Sequence, residues 1–450
     1  MVFAARRQRA GRAPFGALVL LGAFFALSGY EYWVNRDRQE QDDEEIDKAR
    51  GASLDPVAHA TGDPKDWPQW RGANRDGFAP GDGLLDDWPE DGPPVVWRVK
   101  GGGGFSSMAV AAGRLVTMVR DGDDEEVLCL DAETGKERWR FPLGDTLVSK
   151  DGSGPRSTPT IDGDRVYALG SRGVLCCLRL GDGKKLWDAD LKSRFDAPLP
   201  AWGFACSPLV DGKLLLLSAG GPGGQSVVAL DKMTGETKWT ALDDPAGYSS
   251  PVAATIDGER HAIFFTRQGL LSLDPAKGTV RFSKRWRSRF DASVNAATPI
   301  VAGDQIFLSA CYDTGAILLK ATKSKVEEVW QSNDALLCHF GTPVLVEGHL
   351  YGFDGRQEEG ARLRCIELKS GKVCWTKDDF GCGSILAVPG MLIVLSEGGE
   401  LVLVEPTPSG YKEKARATVL SKPCRSTLAL ADGRLYARDG KKLVCWDLKK

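Results

Sequence analysis

Asp131-Ala132-Glu133-Thr134-Gly135-Lys136-Glu137-Arg138-Trp139 returns further along the chain as Asp231-Lys232-Met233-Thr234-Gly235-Glu236-Thr237-Lys238-Trp239. In both, the aspartate can accept backbone N–H groups of a turn and the glycine closes it. Asp274-Pro275-Ala276-Lys277-Gly278 keeps the spacing and is followed by Phe282. Working outward, tryptophans recur at Trp97, Trp139, Trp187, Trp239, Trp286, Trp330 and Trp375, at intervals of 42 to 52 residues. Between them runs a second series, Gly113, Gly163, Gly212, Gly258, Gly303, Gly348, Gly390 and Gly433, spaced by 42 to 50 residues. Each of these glycines stands between two short apolar runs, and four are preceded by aspartate (Asp162, Asp211, Asp257, Asp432), a strong hairpin signal. Each unit therefore reads as four strands, the first after a small or Ser/Thr-rich start and the fourth carrying the tryptophan. Four antiparallel strands repeating at this period predict a β-propeller blade. Stacked β-sandwiches would need fewer and longer strands per period. Eight glycines predict eight blades, in an all-β fold.

The two ends of the repeat predict how the ring closes. The last unit runs out at Lys450 after Leu443-Val444-Cys445-Trp446-Asp447-Leu448, with no room for a fourth strand. Val95-Val96-Trp97-Arg98-Val99 is an orphan fourth strand at the other end. Pairing the two would complete blade 8 and remove exposed strand edges.

The chain has 450 residues, 53 glycines, 13 tryptophans and a formal net charge of −3, with a sequence pI near 6.0. That apolar and aromatic content supports a sizeable core, and the charge offers no footprint for nucleic acid. Arg6, Arg7, Arg9 and Arg12 precede an apolar stretch from Ala13 to Tyr30. Positive charge before an apolar segment holds the N-terminus in the cytoplasm and sends the downstream chain across the membrane. Tyr32-Trp33 favours a retained transmembrane anchor, while Ala26-Leu27-Ser28 offers a cleavage site and a secreted product. The polar stretch 31–66, with Asp42-Asp43-Glu44-Glu45, reads as a solvated acidic linker. The expected organisation is thus an anchor over 1–30, a linker over 31–66, a Trp-rich leader over 67–94 and a propeller over 95–450. The propeller is expected to lie outside the cytoplasm as a monomer.

Eleven cysteines are an odd number without framework spacing. Cys129, Cys177 and Cys365 lie ten residues before Trp139, Trp187 and Trp375, and Cys445 shares their register. Those sites call for a small buried residue on the third strand, so these cysteines read as structural. Strand alternation sends Cys176 and Cys177 to opposite faces, which argues against a vicinal disulfide. Cys206, Cys338, Cys382 and Cys424 precede first strands and are expected to cluster near the channel. Metal binding there, with His339, lacks a CxxC spacing to support it.

The Asp-x-x-Thr-Gly-x-x-x-Trp motif resembles the tryptophan-docking repeat of pyrroloquinoline-quinone-like eight-bladed propellers. The leader Asp66-Trp67-Pro68-Gln69-Trp70-Arg71-Gly72, with Asn74-Arg75-Asp76-Gly77, is similar to one found in exported bacterial members. The resemblance covers residues 66–450. It implies either a non-catalytic propeller, such as the assembly factor of the outer-membrane β-barrel machinery, or a quinoprotein oxidoreductase acting on alcohols or sugars. Dehydrogenases of the family hold pyrroloquinoline quinone with calcium in the mouth of the ring, below a vicinal disulfide in a loop. Here Cys176-Cys177 lies within a strand, blades are close to minimum length, and no calcium ligand or base falls on a matching motif. No catalytic, cofactor-binding or metal residue is therefore assigned, and protein partners are expected. Any ligand should meet the loops before the first strands, at Phe105, Arg156, Trp202, Phe204, Tyr248, Asn295, His339, Phe340 and Arg425. Aromatic rings with two arginines could receive a peptide or an anionic ligand.

Overall fold

The computed structural model describes residues 66–81, 83–290 and 294–450. The segments expected to form the anchor and most of the linker lie outside the described residues. Among the described residues, no helix is long and apolar enough to cross a membrane. Their strands form eight four-stranded antiparallel sheets, the predicted blades. Blade 1 comprises Ala109–Ala111, Arg114–Asp121, Asp124–Asp131 and Glu137–Asp145. Blades 2 to 7 follow in chain order over residues 160–190, 209–241, 252–285, 300–332, 344–377 and 383–418. Blade 8 takes Ala429–Ala431, Arg434–Arg438 and Lys442–Asp447 from the C-terminal end and Val95–Lys100 as its fourth strand. Trp97 pairs with Cys445 and Val99 with Leu443, so the ring closes as the sequence predicts. The first strands of blades 8, 1, 2 and 3 pack side by side, which identifies first strands as the inner edge of the ring.

Burial explains the repeat. The fourth-strand tryptophan pairs with the small third-strand residue of its own blade, as in Cys129–Trp139, Cys177–Trp187, Ala229–Trp239 and Cys365–Trp375. Its indole N–H then donates to the turn of the next blade. Trp97 reaches the carbonyl of Ala132 (3.1 Å), Trp139 that of Leu180 (2.8 Å) and Trp187 that of Lys232 (3.1 Å). Trp239, Trp330 and Trp375 do the same to Pro275, Leu368 and Thr407. The ring lies flat on the glycine of that next turn. A Cβ on Gly135 would stand 2.7 Å from Trp97, and one on Gly183 would stand 2.7 Å from Trp139. Glycine and tryptophan of one motif therefore serve two different interfaces, the preceding and the following.

Trp286 departs from this scheme. It lies beyond its strand, Val280–Arg285, and Phe282 occupies the docking position opposite Ser272. The Trp286 indole nitrogen is buried with no hydrogen-bond partner. Correspondingly, the turn of blade 5 that would receive it, Thr322-Lys323-Ser324-Lys325, has no glycine. The regular spacing misassigned Trp286 because it sits four residues after the true site.

The cysteines follow the predicted register. All eleven lie among the described residues as free thiols, ten of them buried. Cys176 and Cys177 belong to different apolar clusters, on the two sides of their strand. The expected cluster of four does not form. Cys338 interacts electrostatically with Cys382 and Cys311, whereas Cys206 lies near Arg75 and Cys424 in the core of blade 8. Burial pushes the Cys206 thiol up to about 11 and those of Cys338, Cys382 and Cys424 up to about 12.

The leader runs along the inner edge of the ring and bonds to every blade. Trp67 exchanges backbone bonds with Val110 of blade 1 (2.7 and 2.8 Å), and the Pro68 carbonyl accepts from Ile161 of blade 2 (2.8 Å). The Arg75 guanidinium donates to the carbonyls of Ser207 (3.1 Å) and Pro208, which lead into blade 3, and of Pro251 (2.9 Å), which leads into blade 4. Trp70 reaches Thr298 before blade 5 (2.9 Å), and Arg71 reaches Thr342 (2.9 Å) and Pro343 (2.6 Å) before blade 6. Gly77 and Ala79 bracket Ala387 of blade 7, and Leu85 donates to Leu448 beside blade 8 (2.7 Å). Arg71 and Arg75 are 3% and 2% exposed, and burial lowers their guanidinium pKa values to about 10 and about 9. Both still carry charge at neutral pH, which the surrounding carbonyl dipoles must solvate.

A belt of hydroxyls lies at the same level and explains the Ser/Thr-rich starts. Backbone N–H groups of Thr427, Ser107, Thr158 and Ser207 donate to the hydroxyls of Ser107 (2.7 Å), Thr158 (3.3 Å), Ser207 (2.9 Å) and Ser250 (2.9 Å), each in the next blade. Thr298 donates likewise to Thr342 (2.9 Å).

Candidate functional site

Successive strands of a blade run in opposite directions, so loops entering first strands and turns between second and third strands share one end of the ring. At that end the structure gathers an arginine and aromatic mouth immediately beyond the leader. Arg156 lies over the Phe105 ring at 5.4 Å, and Arg425 over the same ring at 5.6 Å and over Phe340 at 6.0 Å. Phe340 contacts His339 (5.4 Å), His339 contacts Tyr312 edge-on (5.6 Å), and Arg356 covers Tyr312 at 4.6 Å. This row joins six loops and turns that are far apart in the chain. A second group, Trp202 against Tyr248 (5.7 Å) with Arg267 over Tyr248 (6.0 Å), stands beside it. Asp151 links the two: its carboxylate accepts from the Trp202 indole (2.9 Å) and its backbone carbonyl from Arg425 (3.1 Å).

Of the eight residues expected to meet a ligand besides Phe105, six belong here: Arg156, Trp202, Tyr248, His339, Phe340 and Arg425. Phe204 and Asn295 do not. Phe204 is a core residue, 1% exposed, whose ring lies against Gly173. Asn295 is buried and its amide donates to the carbonyls of Thr266 (2.7 Å) and Trp286 (3.1 Å), holding a loop. Sequence reasoning missed Tyr312, Arg356 and Arg267, which sit at turns between second and third strands. The alternation of strand direction was the signal that could have found them.

The mouth carries both signs of charge. The guanidinium of Arg156 donates to the carbonyls of Gly154 (2.9 Å) and Gly152 (2.7 Å), and among the described residues no carboxylate hydrogen-bonds to it. Burial lowers its pKa and raises that of Tyr248. Burial also lowers the pKa of His339, against the Gln357 contact at 3.0 Å and the charge of Glu358, while Arg356 and Arg425 lower it further. Arg425 is balanced by Glu397 (2.6 Å) and Arg356 by Glu359.

Among the described residues no three His, Cys, Asp or Glu side chains are placed to hold a metal. The carboxylates of Asp151, Glu397 and Glu359 at the mouth are engaged by Trp202, Arg425 and Arg356, and Cys176-Cys177 is buried within its strand. These residues do not fit the calcium and quinone centre that the resemblance implies.

Known proteins share both the repeat and the ring. The family described as outer membrane protein assembly factor BamB matches residues 89–188 and 123–377. The chain belongs to this family. BamB of Moranella endobia (strain PCIT) is 24% identical over 285 residues, which is 59% of this chain and 68% of that protein. BamB of Burkholderia pseudomallei (strain K96243) is 27% identical over 274 residues, or 51% of this chain and 68% of that one. Among solved structures, the quinohemoprotein alcohol dehydrogenase of Comamonas testosteroni superposes with a TM-score of 0.59. That match covers 91% of this chain and 84% of the other, and at 12% identity it speaks for the fold alone.

Proposed function

We propose that this BamB-family propeller is non-catalytic and acts as a protein-binding or assembly scaffold outside the cytoplasm, tethered to the membrane by residues 1–30. Family membership carries this reading, because the matching family and relatives are named as assembly factors of outer membrane proteins. The mouth supports it: half-buried rings and arginines gathered at one end suit protein recognition better than bond-breaking chemistry. Residues 31–66 supply the reach between membrane and ring, and the monomer presents its mouth to protein partners.

Photo-crosslinking from Trp202 or Phe340 of the full chain, in its native envelope, tests the scaffold role. Crosslinks to protein partners are expected, with a fall in folded outer-membrane β-barrel protein when the chain is deleted. The absence of both would overturn the scaffold reading. The competing reading is a pyrroloquinoline-quinone oxidoreductase. Loading the purified chain with the quinone and calcium, and following dye reduction by alcohols and sugars, separates the two. Stoichiometric quinone binding with turnover would favour the enzyme, and no turnover is expected.

A further inference from the structure

We propose that Cys374 and Cys365 of blade 6 form a thiol–disulfide exchange site, in which Cys374 takes an incoming disulfide and Cys365 resolves it into an internal Cys365–Cys374 bond. This goes beyond the scaffold role and does not depend on it. Backbone pairing brings the two residues together. Cys365 pairs with Trp375 and Ile366 with Val373, so Cys374 is the extra residue of a β-bulge. Such a bulge sets two residues of one strand opposite one residue of its partner. Cys374 is therefore a second neighbour of Cys365, at the cross-strand separation that a disulfide spans, about 4.4 to 6.8 Å between Cα atoms. The side chains agree with the backbone. Cys374 packs against the cluster that holds Cys365, Tyr351 and Trp375, and the two thiols interact directly.

This coincidence belongs to blade 6 alone. The same bulge recurs in blades 1 to 4, where the extra residue is Arg138, Leu186, Lys238 and Arg281. In blades 5, 7 and 8 it is Val329, Lys414 and Val96. Packing beside the docked ring accounts for the third-strand cysteines as a group. It does not call for a second sulfur next to one of them.

Access divides the roles. Cys374 is half-buried, whereas the other ten cysteines are buried. Burial, and then the neighbouring Cys374, raise the pKa of the Cys365 thiol, which disfavours it as the first nucleophile. The sulfur that meets a disulfide from solution is thus that of Cys374, on the outer strand of the blade. Cys374 loses its proton to water and attacks one sulfur of the incoming disulfide, forming a mixed disulfide and releasing one thiol. The Cys365 sulfur then attacks the Cys374 sulfur. The bond to the incoming group breaks, and that group leaves as a second thiol carrying the Cys365 proton. Two protein thiols and one disulfide become one protein disulfide and two thiols, so the incoming disulfide is the oxidant. The substrate class is a disulfide small or flexible enough to reach an outer strand.

The test uses the purified, reduced full chain in detergent, with oxidised glutathione as the disulfide. Alkylation of the native chain by iodoacetamide, read by peptide mass mapping, should label Cys374 about tenfold faster than any other cysteine. Oxidised glutathione should convert the native chain to a species that has lost two hydrogens and retains no glutathione. Lys369 and Lys372 lie between the two cysteines, so trypsin should yield them as one cross-linked pair of peptides. Cys365→Ala should instead keep one glutathione on Cys374, because the second step has lost its nucleophile. That variant should fold, since Ala229 fills the same position of blade 3, and its melting temperature checks this. Cys374→Ser should take up no glutathione and lose no hydrogens. A native chain that retains glutathione on Cys374 without forming the cross-link would overturn the proposal. So would equally fast alkylation of a buried cysteine such as Cys129, or a Cys365–Cys374 bond that forms only in denaturant.

Discussion

Eight glycines that recur as one sequence signal occupy three kinds of turn. At Ala112-Gly113, Asp257-Gly258, Glu347-Gly348 and Asp432-Gly433 both central residues have positive φ, the pattern of a type I′ hairpin. Gly163, Gly212 and Gly303 stand first in their turns with positive φ and are followed by an ordinary residue, as in type II′. Pro389-Gly390 places proline before a glycine of φ 74°, the type II arrangement. The need for glycine was legible because only glycine takes these conformations cheaply. The turn type was not, since Asp-Gly serves two of them. A sharper distinction separates these glycines from those beneath the tryptophans. Gly113→Ala meets nothing within 4 Å, so it should cost only the left-handed strain, about 1 kcal/mol. Gly135→Ala adds a collision with Trp97 at 2.7 Å and should cost about 3 kcal/mol. Urea unfolding of the two variants measures the difference, and equal losses would contradict the docking geometry.

At the level of the blade, tryptophan spacing alone was an imperfect guide. Position relative to the third strand was better, because pairing fixes which fourth-strand residue turns inward. Cys129, Ser272 and Cys365 mark that position in three blades, and Ser272 faces Phe282 rather than Trp286. Trp139→Phe keeps the ring but removes the bond to Leu180, leaving a carbonyl short of a partner. The expected loss is about 1 to 2 kcal/mol. Trp286→Phe removes an N–H that has no partner and should change stability by less than about 0.5 kcal/mol. Thermal melts of the two variants check this contrast. The same reasoning accounts for the thiols: Cys177 faces the tryptophan side and Cys176 the other, as strand alternation requires.

For the molecule as a whole, the ring is held at its seam and along its axis. Val95–Lys100 pairs across the seam, and Arg438, fully buried, reaches from blade 8 to the carbonyls of Met118 (2.7 Å), Gly102 (2.8 Å) and Gly103 (2.8 Å). Deleting residues 95–100 should lower the melting temperature of the entire propeller, and an unchanged melt would refute closure by that strand. On the axis, Arg75→Met should strand carbonyls of Ser207, Pro208 and Pro251 and cost about 3 kcal/mol or more. Arg75→Lys should rescue little, because one ammonium cannot replace a fork that spans two blade entrances. Chemical denaturation with hydrogen exchange at the first strands of blades 3 and 4 would detect the effect. The amino-acid sequence by itself determined the number of blades, their four-strand order and the closure, because local turn chemistry and apolar periodicity repeat with every unit. It also determined that arginines and rings stand in the loops before first strands. Only the tertiary structure decided that the leader braces all eight blades, since backbone carbonyls accepting from Arg71 and Arg75 carry no residue signature. Only the closed ring, likewise, sorted Phe204 and Asn295 into the interior and brought Tyr312, Arg356 and Arg267 to the mouth, because residues on separate blades become neighbours when the circle is complete.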